Sequence, residues 1–244
     1  MKIKFFNKIL NLIFPSKIKC ILCGEDVKDF DNDPICDDCK KDEIFNNSQI
    51  RCKICDQPFY GEGEYCENCK QHHKAFDKAT APFIYIGKIR SLVLKFKSNN
   101  ARYLAYPMAK LMVDRLKTEN MLDFDVIIPV PMSEKSLKKR GYNQALLLAD
   151  EIGKILNKPV RNDLLIKVKE TKHQKELNFI SRQENLSSAF KLTKFKDIKD
   201  KNVLLVDDIL TTCATANTCS EVMRKHAQKI YVATFARNLP KTRK

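Results

Sequence analysis

The sequence predicts an α/β protein in which a parallel sheet flanked by helices follows a small cysteine-rich module. Two observations lead to this prediction. Strand and helix patterns alternate from residue 81 onward, which is typical of a parallel sheet covered on both faces. The second observation is that eight of the ten cysteines fall between residues 20 and 69, before this alternation begins. With 244 residues, 43% of them hydrophobic, the chain is long enough for one large domain or two ordinary ones.

The alternation follows from apolar patterns along residues 81–236. Short apolar runs predict strands, and apolar residues three or four apart predict helices. Strands are predicted over 81–87 (APFIYIG), 125–131 (DVIIPVP), part of 158–167, 202–206 and 229–236. Helices are predicted around Leu92, Val93 and Phe96, around Leu104, Met108, Leu111 and Met112, and over 144–156 and 216–226. Ligands of such sheets bind beyond the carboxyl ends of the strands, so we expect the functional site there.

The first residues, MKIKFFNKILNLIFPSK, predict a short amphipathic helix over 1–16. Its apolar residues recur at helical spacing and end before Pro15; they are Ile3, Phe6, Ile9, Leu10 and Ile13. The apolar runs are short and no small-residue cleavage site follows, which argues against a signal peptide and a membrane span. We expect this helix to dock on the chain's own domains, with a membrane surface or a partner as the alternative.

The net charge of +15 is concentrated in the second part of the chain. Residues 1–80 hold 13 Lys and Arg against 14 Asp and Glu, whereas residues 81–244 hold 32 against 16. A basic second part suits anionic ligands or nucleic acid. A Lys-rich composition with a solvated basic surface is an equally good interpretation.

The cysteines form four Cys-x-x-Cys pairs that predict two zinc sites. The pairs are Cys20 with Cys23, Cys36 with Cys39, Cys52 with Cys55, and Cys66 with Cys69. Two thiolates on one tight turn can bind a single ion, and two such turns complete a tetrahedral site for Zn²⁺. The simplest arrangement joins successive pairs, but a cross-braced arrangement has the same spacing.

Other uses of these cysteines fit the sequence less well. Disulfides are disfavoured without a secretory signal, and four copies of the motif in fifty residues are not typical of a redox catalyst. An iron-sulfur cluster is a weaker alternative to zinc. A closed shell of four thiolates leaves no open position, so both zinc ions are expected to be structural. His72 and His73 are expected at the surface, and the module is expected to span residues 17–75, with the α/β domain over 80–240.

The strongest candidate site follows the apolar run VLLV. Asp207 and Asp208 come at its end, where buried carboxylates need partners such as a sugar diol or hydrated Mg²⁺. Hydroxyl groups then precede the helix predicted from Ala216, whose free N–H groups suit an anion; they belong to Thr211, Thr212 and Thr215. Helix capping alone explains one or two of these residues. Together they predict binding of a sugar through the acids and of its phosphate through the loop.

The segment VLLVDDILTTCAT (203–215) resembles the loop that binds 5-phosphoribosyl-1-pyrophosphate in type I phosphoribosyltransferases. The whole chain resembles the ComF family, whose members have a double zinc ribbon before such a domain. The motifs that carry this resemblance are Tyr85, Gly87, Arg90 and Lys97; Pro129, Val130, Pro131, Arg140, Gly141, Tyr142, Asn143 and Gln144; Thr171, Gln174, Arg182 and Asn185; and Phe235, Ala236 and Arg237.

The resemblance implies a role for each segment. Met132 and Ser133 would approach the pyrophosphate, with Arg140 supplying charge. Residues 167–174 would form a lid that excludes water, and Thr171, Gln174 and the later Arg182 would contact substrate. The 5′-phosphate would be held by Thr211, Thr212, Cys213, Ala214 and Thr215, and the ribose hydroxyls by Asp207 and Asp208. Transfer would pass through an oxocarbenium-like ribose, with Mg²⁺ on the leaving pyrophosphate.

The sequence departs from the family pattern at three places. Cys213 stands where the family usually has Gly, which adds a side chain close to the phosphate. Lys167 and Lys169 stand where the family usually has Arg, so a planar guanidinium that can donate two parallel hydrogen bonds is replaced by an ammonium group that acts as a point charge. The glycine expected after LKFK is replaced by residues of the stretch 98–100. Each departure is expected to loosen ligand binding without abolishing it.

Two functions remain open on these grounds. ComF-like proteins are associated with competence, so the first function is that of an accessory in the uptake of single-stranded DNA. Such an accessory would bind phosphoribosyl pyrophosphate and would contact DNA and DNA-uptake proteins through its basic part. The other is an active phosphoribosyltransferase of nucleotide salvage with an unknown acceptor. Both place the protein in the cytoplasm, with a peripheral location at the inner face of the membrane as a variant of the first.

Overall fold

The computed structural model describes residues 19–27, 33–41, 50–98, 101–168 and 189–239. The helix predicted over 1–16 lies outside these ranges. So do several residues that the resemblance singles out: Lys169, Thr171, Gln174, Arg182 and Asn185.

Within the described residues from 81 onward, helices and strands alternate as predicted, with two further elements in this part of the chain that the pattern did not predict, a helix at 134–140 and a strand at 190–192. The helices are α1 (Asp37–Lys40), α2 (Glu67–Gln71), α3 (Gly87–Phe96), α4 (Ala105–Thr118), α5 (Glu134–Arg140), α6 (Gln144–Leu156) and α7 (Ala214–Arg224). The strands are β1 (Lys78–Thr80), β2 (Phe83–Ile84), β3 (Val126–Pro129), β4 (Leu165–Lys167), β5 (Phe190–Leu192), β6 (Asn202–Leu210) and β7 (Lys229–Arg237). Short 3₁₀ turns cover Arg102–Leu104 and Phe195–Ile198.

The central sheet is parallel and has the strand order β1-β7-β6-β3, with β2 continuing beside β7. The two longest strands, β6 and β7, lie next to each other and pair from Asn202 opposite Lys229 to Leu210 opposite Arg237. On the other side of β6, β3 pairs only as far as Pro129 opposite Val206. The predicted class, a parallel sheet flanked by helices after a cysteine-rich module, is confirmed.

Several predicted elements differ from the structure, and one of them, the strand predicted over 202–206, extends to Leu210. The strand predicted over 81–87 is only the two-residue β2, because the chain bends at Tyr85 and Ile86 and α3 begins at Gly87, where φ is +46°. The strand predicted within 158–167 is β4, but it pairs antiparallel with β5 in a separate two-stranded sheet. The last helix begins at Ala214 rather than at residue 216.

The apolar core is divided by the sheet into two layers. Successive side chains of a strand point to opposite faces, so the first half of β6 contributes Leu204 and Val206 to one layer and Val203 and Leu205 to the second. The first layer lies against α3, α4 and α6; it includes Phe96, Met108, Leu148, Leu204 and Val206. The second lies against α7; it includes Ile128, Val203, Leu205, Met223 and Val232. Cysteines of the N-terminal module belong to both layers.

No helix in the described part of the chain combines the length and the apolar character needed to cross a membrane.

Candidate functional site

The eight module cysteines form two groups that join successive pairs. The first cluster consists of Cys20, Cys23, Cys36 and Cys39, and the second cluster of Cys52, Cys55, Cys66 and Cys69. Within each cluster the sulfur atoms all lie within 4.8 Å of one another, which decides for the sequential arrangement over the cross-braced one. Four convergent thiol groups fit a tetrahedral Zn²⁺ site. His72 and His73 are exposed and belong to neither group, as expected.

The two clusters repeat one backbone plan. In residues 19–26 and again in 51–58, a bridge joins the ends of the segment, and the residue after the second cysteine donates its N–H to the first cysteine's carbonyl at 2.9 Å. That residue is Gly24 in the first cluster and Asp56 in the second, both with positive φ, +83° and +56°. In each cluster the third cysteine, Cys36 or Cys66, immediately precedes a short helix that carries the fourth.

A pocket of about 160 Å³ lies beyond the end of β3 and beside the later part of β6. It brings together six residues that the sequence and the resemblance assigned to the site: Met132, Ser133, Arg140, Asp207, Asp208 and Thr215. One end of the two-stranded sheet completes the wall with Lys167 and Phe190. Residues separated by up to 85 positions in the chain, from Val130 to Thr215, therefore face one space.

The two aspartates lie inside β6, not at its end as predicted from the apolar run. The strand continues to Leu210 because β7 keeps pairing with it, with Asp207 opposite Thr234. On the β3 side pairing has already stopped, so this stretch of β6 is open to the pocket. Asp207 and Asp208 therefore continue β6 beside β7 after its pairing with β3 has ended.

The electrostatics of the pair are asymmetric. Asp208 Oδ2 lies 2.9 Å from Lys97 Nζ, and the Asp208 N–H donates to Asp207 Oδ1 at 2.8 Å. Burial and the adjacent charge of Asp208 raise the pKa of Asp207 to about 8, against a smaller opposing effect of Lys97. Near neutral pH the protonated form of Asp207 is therefore favoured.

The facing wall is formed by the segment after β3 and the start of α6. Asn143 donates from Nδ2 to the Val130 carbonyl at 3.0 Å and caps α6, which fixes the loop to the helix. Arg140 donates to Gln144 Oε1 at 3.2 Å. Gln144 is 2% exposed, and among the described residues its Nε2 has no hydrogen-bond partner. A buried donor without an acceptor is costly, and a ligand oxygen in the pocket would satisfy it.

The loop 211–215 contributes less to the pocket than the resemblance implies. Only Thr215 lines it, whereas Thr211 and Thr212 are exposed, and Thr212 Oγ1 accepts from the Ala214 N–H at 3.4 Å. Cys213 is 3% exposed and has φ +67°. Its side chain packs among the buried residues that include the second cluster, on the side away from the pocket lining.

Some pocket residues had no assigned role in the sequence analysis. Gln144 and Asn143 were noticed only as parts of a motif, and hydrogen bonds within the fold hold them at the pocket. Lys97, also noticed only in a motif, pairs with Asp208 of the pocket wall. Ser136 and Phe190 carry no sequence signal, because each is a common residue placed by a turn of α5 or by β5. Their positions require the tertiary structure.

The fold and the sites define a protein with two four-cysteine clusters attached to an α/β domain with a polar pocket at the edge of its parallel sheet. A family model described as double zinc ribbon domain matches residues 9–70. Competence protein F of Haemophilus influenzae is 31% identical over 216 residues, which cover 85% of this chain and 91% of that protein. The chain belongs to the competence protein F (ComF) family, and the resemblance drawn from the motifs is confirmed.

Other similar proteins are more distant. The DNA utilization protein YhgH of Escherichia coli K12 is 22% identical over 210 residues, covering 84% of this chain and 91% of that protein. Among solved structures, a purine phosphoribosyltransferase from Pyrococcus horikoshii matches with 17% identity and a TM-score of 0.33, over 57% of this chain and 85% of its own.

Proposed function

We propose that this protein binds phosphoribosyl pyrophosphate with Mg²⁺ in the pocket and acts as an accessory in the uptake of single-stranded DNA. The names of its relatives, a competence protein and a DNA utilization protein, support the DNA-related part. The protein then works in the cytoplasm, where the incoming strand arrives and where thiolates stay reduced for zinc, either free or peripheral at the membrane.

One observation carries the ligand proposal. The pocket combines an acidic pair, Asp207 and Asp208, with the cation of Arg140 and the unsatisfied donor of Gln144 on the facing wall. A sugar with two hydroxyl groups and a phosphate group satisfies both sides at once, because hydroxyls donate to carboxylates and phosphate oxygens accept from the two nitrogen donors. A purely anionic or purely cationic ligand satisfies only one side.

The proposed roles follow from this division. Asp207 and Asp208 hold the ribose hydroxyls. Met132, Ser133 and Arg140 position the pyrophosphate, whose negative charge Mg²⁺ would neutralise when bound. The 5′-phosphate is assigned to the loop 211–215, where the start of α7 adds a positive dipole. Thr171, Gln174 and Arg182 keep their proposed contacts with the ligand on the strength of the family pattern.

Calorimetric titration with phosphoribosyl pyrophosphate and Mg²⁺ tests this site. At a pH above about 8, where Asp207 is ionised, Asp207→Asn and Asp208→Asn are each expected to weaken binding by about tenfold or more, since each removes a charged acceptor for a hydroxyl. Asp114→Asn, on the exposed face of α4, is the control and should bind as the wild type does. Equal affinities for all four proteins would remove the proposed site.

The pKa of Asp207 gives a second test. Ribose hydroxyls bind best when both carboxylates are ionised, but burial raises the pKa of Asp207 to about 8. Affinity should therefore increase as the pH rises toward 8, by up to about tenfold per pH unit, and level off above it. Asp207→Asn should lose this pH dependence, because the titrating carboxylate is gone. A dependence caused by titration of the ligand's own phosphates would remain in the variant. A variant that keeps the wild-type slope would contradict the assignment.

A basic surface around α3 and α4 supports the DNA-binding part. Residues 87–113 include six Lys and Arg and no Asp or Glu. Tyr103 is 62% exposed, with Lys95 Nζ 5.7 Å from the centre of its ring, and Tyr106 on the next turn is 37% exposed. Exposed aromatic rings among cations suit single strands, because bases stack on the rings while the cations contact phosphates.

Fluorescence anisotropy with a labelled oligothymidine, followed over a range of salt concentrations, tests this surface. We expect the double substitution Lys95→Ala, Tyr103→Ala to weaken binding by about tenfold and to reduce the salt slope by about one. Lys53→Ala, Tyr60→Ala is the matched control, because both residues are exposed and lie in the cysteine module. No affinity of the wild type at low salt would exclude the DNA-binding proposal.

An active phosphoribosyltransferase of nucleotide salvage is the second candidate function. The raised pKa of Asp207 favours it, since a group that titrates near neutral pH can accept a proton from an attacking acceptor. A screen of nucleobases and amines for release of pyrophosphate from the donor tests it. Pyrophosphate release that Asp207→Asn abolishes would establish the transferase activity. If no acceptor leads to release, only the ligand-binding function would remain.

A further inference from the structure

Arg237 lies between the second cluster and the loop 211–215. It is the last residue of β7, and only 2% of its surface is exposed. Toward the cluster, Nε donates to the Cys55 carbonyl at 3.0 Å and Nη2 to Gln57 Oε1 at 2.6 Å. Toward the loop, Nη1 donates to the Leu210 carbonyl at 2.8 Å and also to that of Thr211. One guanidinium therefore joins the two segments through hydrogen bonds on both sides.

The positive charge of Arg237 lies beside sulfur atoms rather than beside a carboxylate. Nη2 lies 3.6 Å from Cys213 Sγ and 3.9 Å from Cys55 Sγ, and no carboxylate of the described residues lies within ion-pair distance. A buried guanidinium needs negative charge nearby. Four thiolates around one Zn²⁺ carry about two negative charges, because bound metal keeps the thiols ionised. The metal-loaded second cluster is therefore the natural counter-charge for Arg237.

The contacts of Arg237 also set the direction of peptide groups in the loop. The C=O and N–H of one planar peptide point in opposite directions. With the carbonyls of Leu210 and Thr211 turned toward Arg237, the N–H groups of Thr211 and Thr212 are turned away from it. Cys213 holds a positive φ, which costs a non-glycine residue free energy and needs support from its surroundings. Its contact with Arg237 provides that support.

We propose that Arg237 is a positioning residue through which metal in the second cluster organises the loop 211–215 for a phosphate group. The proposal rests on the assignment of this loop to the 5′-phosphate given above. It makes the zinc module part of the ligand site, since the loop is held in place from the module side. The first cluster has no such connection among the described residues, because none of its cysteines contacts the loop.

Arg224 provides a matched control. It too joins the module region to the α/β domain, since its Nε donates to the Ala75 carbonyl at 2.8 Å and its Nη2 pairs with Asp77 at 2.9 Å. It lies at the end of α7, away from the loop. Arg224→Lys therefore changes a comparable link and leaves the loop contacts intact.

The first experiment titrates wild type, Arg237→Lys and Arg224→Lys with ribose 5-phosphate and, separately, with pyrophosphate and Mg²⁺. Lysine keeps the charge but cannot donate to four acceptors in one plane. We expect Arg237→Lys to weaken ribose 5-phosphate at least tenfold and pyrophosphate less than twofold, and Arg224→Lys to change neither. Equal binding of ribose 5-phosphate by Arg237→Lys and wild type would overturn the proposal. So would an equal loss for both ligands, which indicates general destabilisation.

The second experiment needs no ligand and separates this proposal from the proposed function. Hydrogen exchange is followed in a peptide that spans 211–215, in wild type, Arg237→Lys, Cys52→Ser and Cys20→Ser, with zinc content measured for each. Faster exchange in Arg237→Lys and Cys52→Ser, but not in Cys20→Ser, is the expected result. If the wild type binds no ribose 5-phosphate, the proposed ligand-binding function fails. The expected exchange pattern would still support the connection from the second cluster through Arg237 to the loop 211–215. Unchanged exchange in the first two variants overturns the link.

Should Arg237→Lys fail to fold, Gln57→Ala provides the same test. It removes one acceptor of the guanidinium, and we expect about threefold weaker ribose 5-phosphate binding with unchanged pyrophosphate binding. Unchanged binding of ribose 5-phosphate by this variant would count against the proposal.

Discussion

The two cysteine clusters share a backbone plan but differ in their surroundings. In the first cluster Cys23 is exposed and Cys36 is half-buried, whereas all four cysteines of the second are buried. The first packs against the layer that holds α3, where Lys88 Nζ lies 3.7 Å from Cys39 Sγ. The second belongs to the layer around α7 and contacts Arg237. The same metal-binding turn therefore serves as an outer covering in one place and as an interior element in the other.

One residue in the repeated segment accounts for much of this difference. At the left-handed position after the second cysteine, the first cluster has Gly24 and the second has Asp56. Asp56 is 4% exposed, accepts the Ala81 N–H at 2.7 Å, and lies 3.1 Å from Arg51 and 3.4 Å from Arg115. Burial raises the pKa of Asp56 to about 6, although both arginines oppose the rise. This side chain anchors the second cluster to the α/β domain.

The largest effect should come from removing equivalent cysteines. Cys20 and Cys52 occupy the same position in the repeat and are both buried. Each Ser variant should lose one zinc ion, but Cys52→Ser should lower the melting temperature by more than about 10 °C and Cys20→Ser by much less, because only the second cluster is wholly interior. Metal analysis and calorimetric melting measure this. Equal losses would show that the two clusters support the fold alike.

A smaller but still large effect is expected at the anchor. Asp56→Gly makes the second segment resemble the first and leaves Arg51 and Arg115 without that carboxylate, so we expect a loss of about 3–5 kcal/mol in the free energy of unfolding. The reverse change, Gly24→Asp, should cost about 1 kcal/mol, because aspartate tolerates the left-handed region and the site is exposed. Denaturant unfolding gives both values, and a loss below 1 kcal/mol for Asp56→Gly would contradict the anchoring role.

Zinc release should differ between the clusters in the wild-type protein. A chelator with a coloured zinc complex should remove one ion at least about tenfold faster than the other, because access to Cys23 requires no opening of the core. Cys23→Ser should eliminate the fast phase and Cys55→Ser the slow one. A single phase in the wild type would indicate that exposure does not control release.

The smallest effect concerns the cation beside the first cluster. Lys88→Met keeps the length of the side chain but removes the charge near Cys39, so the fast release phase should accelerate by about two- to fivefold. The slow phase should not change, since Lys88 lies beside Cys39 of the first cluster. An effect on both phases would indicate that the two clusters are coupled.

The sequence predicted the parts of this molecule that depend on local spacing. The cysteine pairs, α6 with its correct bounds, and the strand–acid–loop segment were all evident from residue order. The pairing of the cysteines was not, because sequential and cross-braced sites have the same spacing. The length of β6 was also missed, since Asp207 to Leu210 are strand residues only because β7 pairs with them.

Other features depend on contacts that sequence does not encode locally. Cys213 was expected to face the ligand, but its thiol is buried toward the second cluster, where Arg237 is brought by the end of another strand. Gln144 belongs to a recognised motif, yet its buried and unpaired Nε2 is visible only in the fold. Assignments that rest on residues 169–188 stay predictions.

The unequal burial of the two clusters has a consequence for cells that are short of zinc. As supply falls, the ion whose ligands include the exposed Cys23 should be lost first, while the interior ion persists. Starvation would then produce a half-loaded protein that has lost its outer covering but keeps its interior metal. A competence-related protein built in this way would lose its two metal ions in a fixed order as the nutrient becomes scarce.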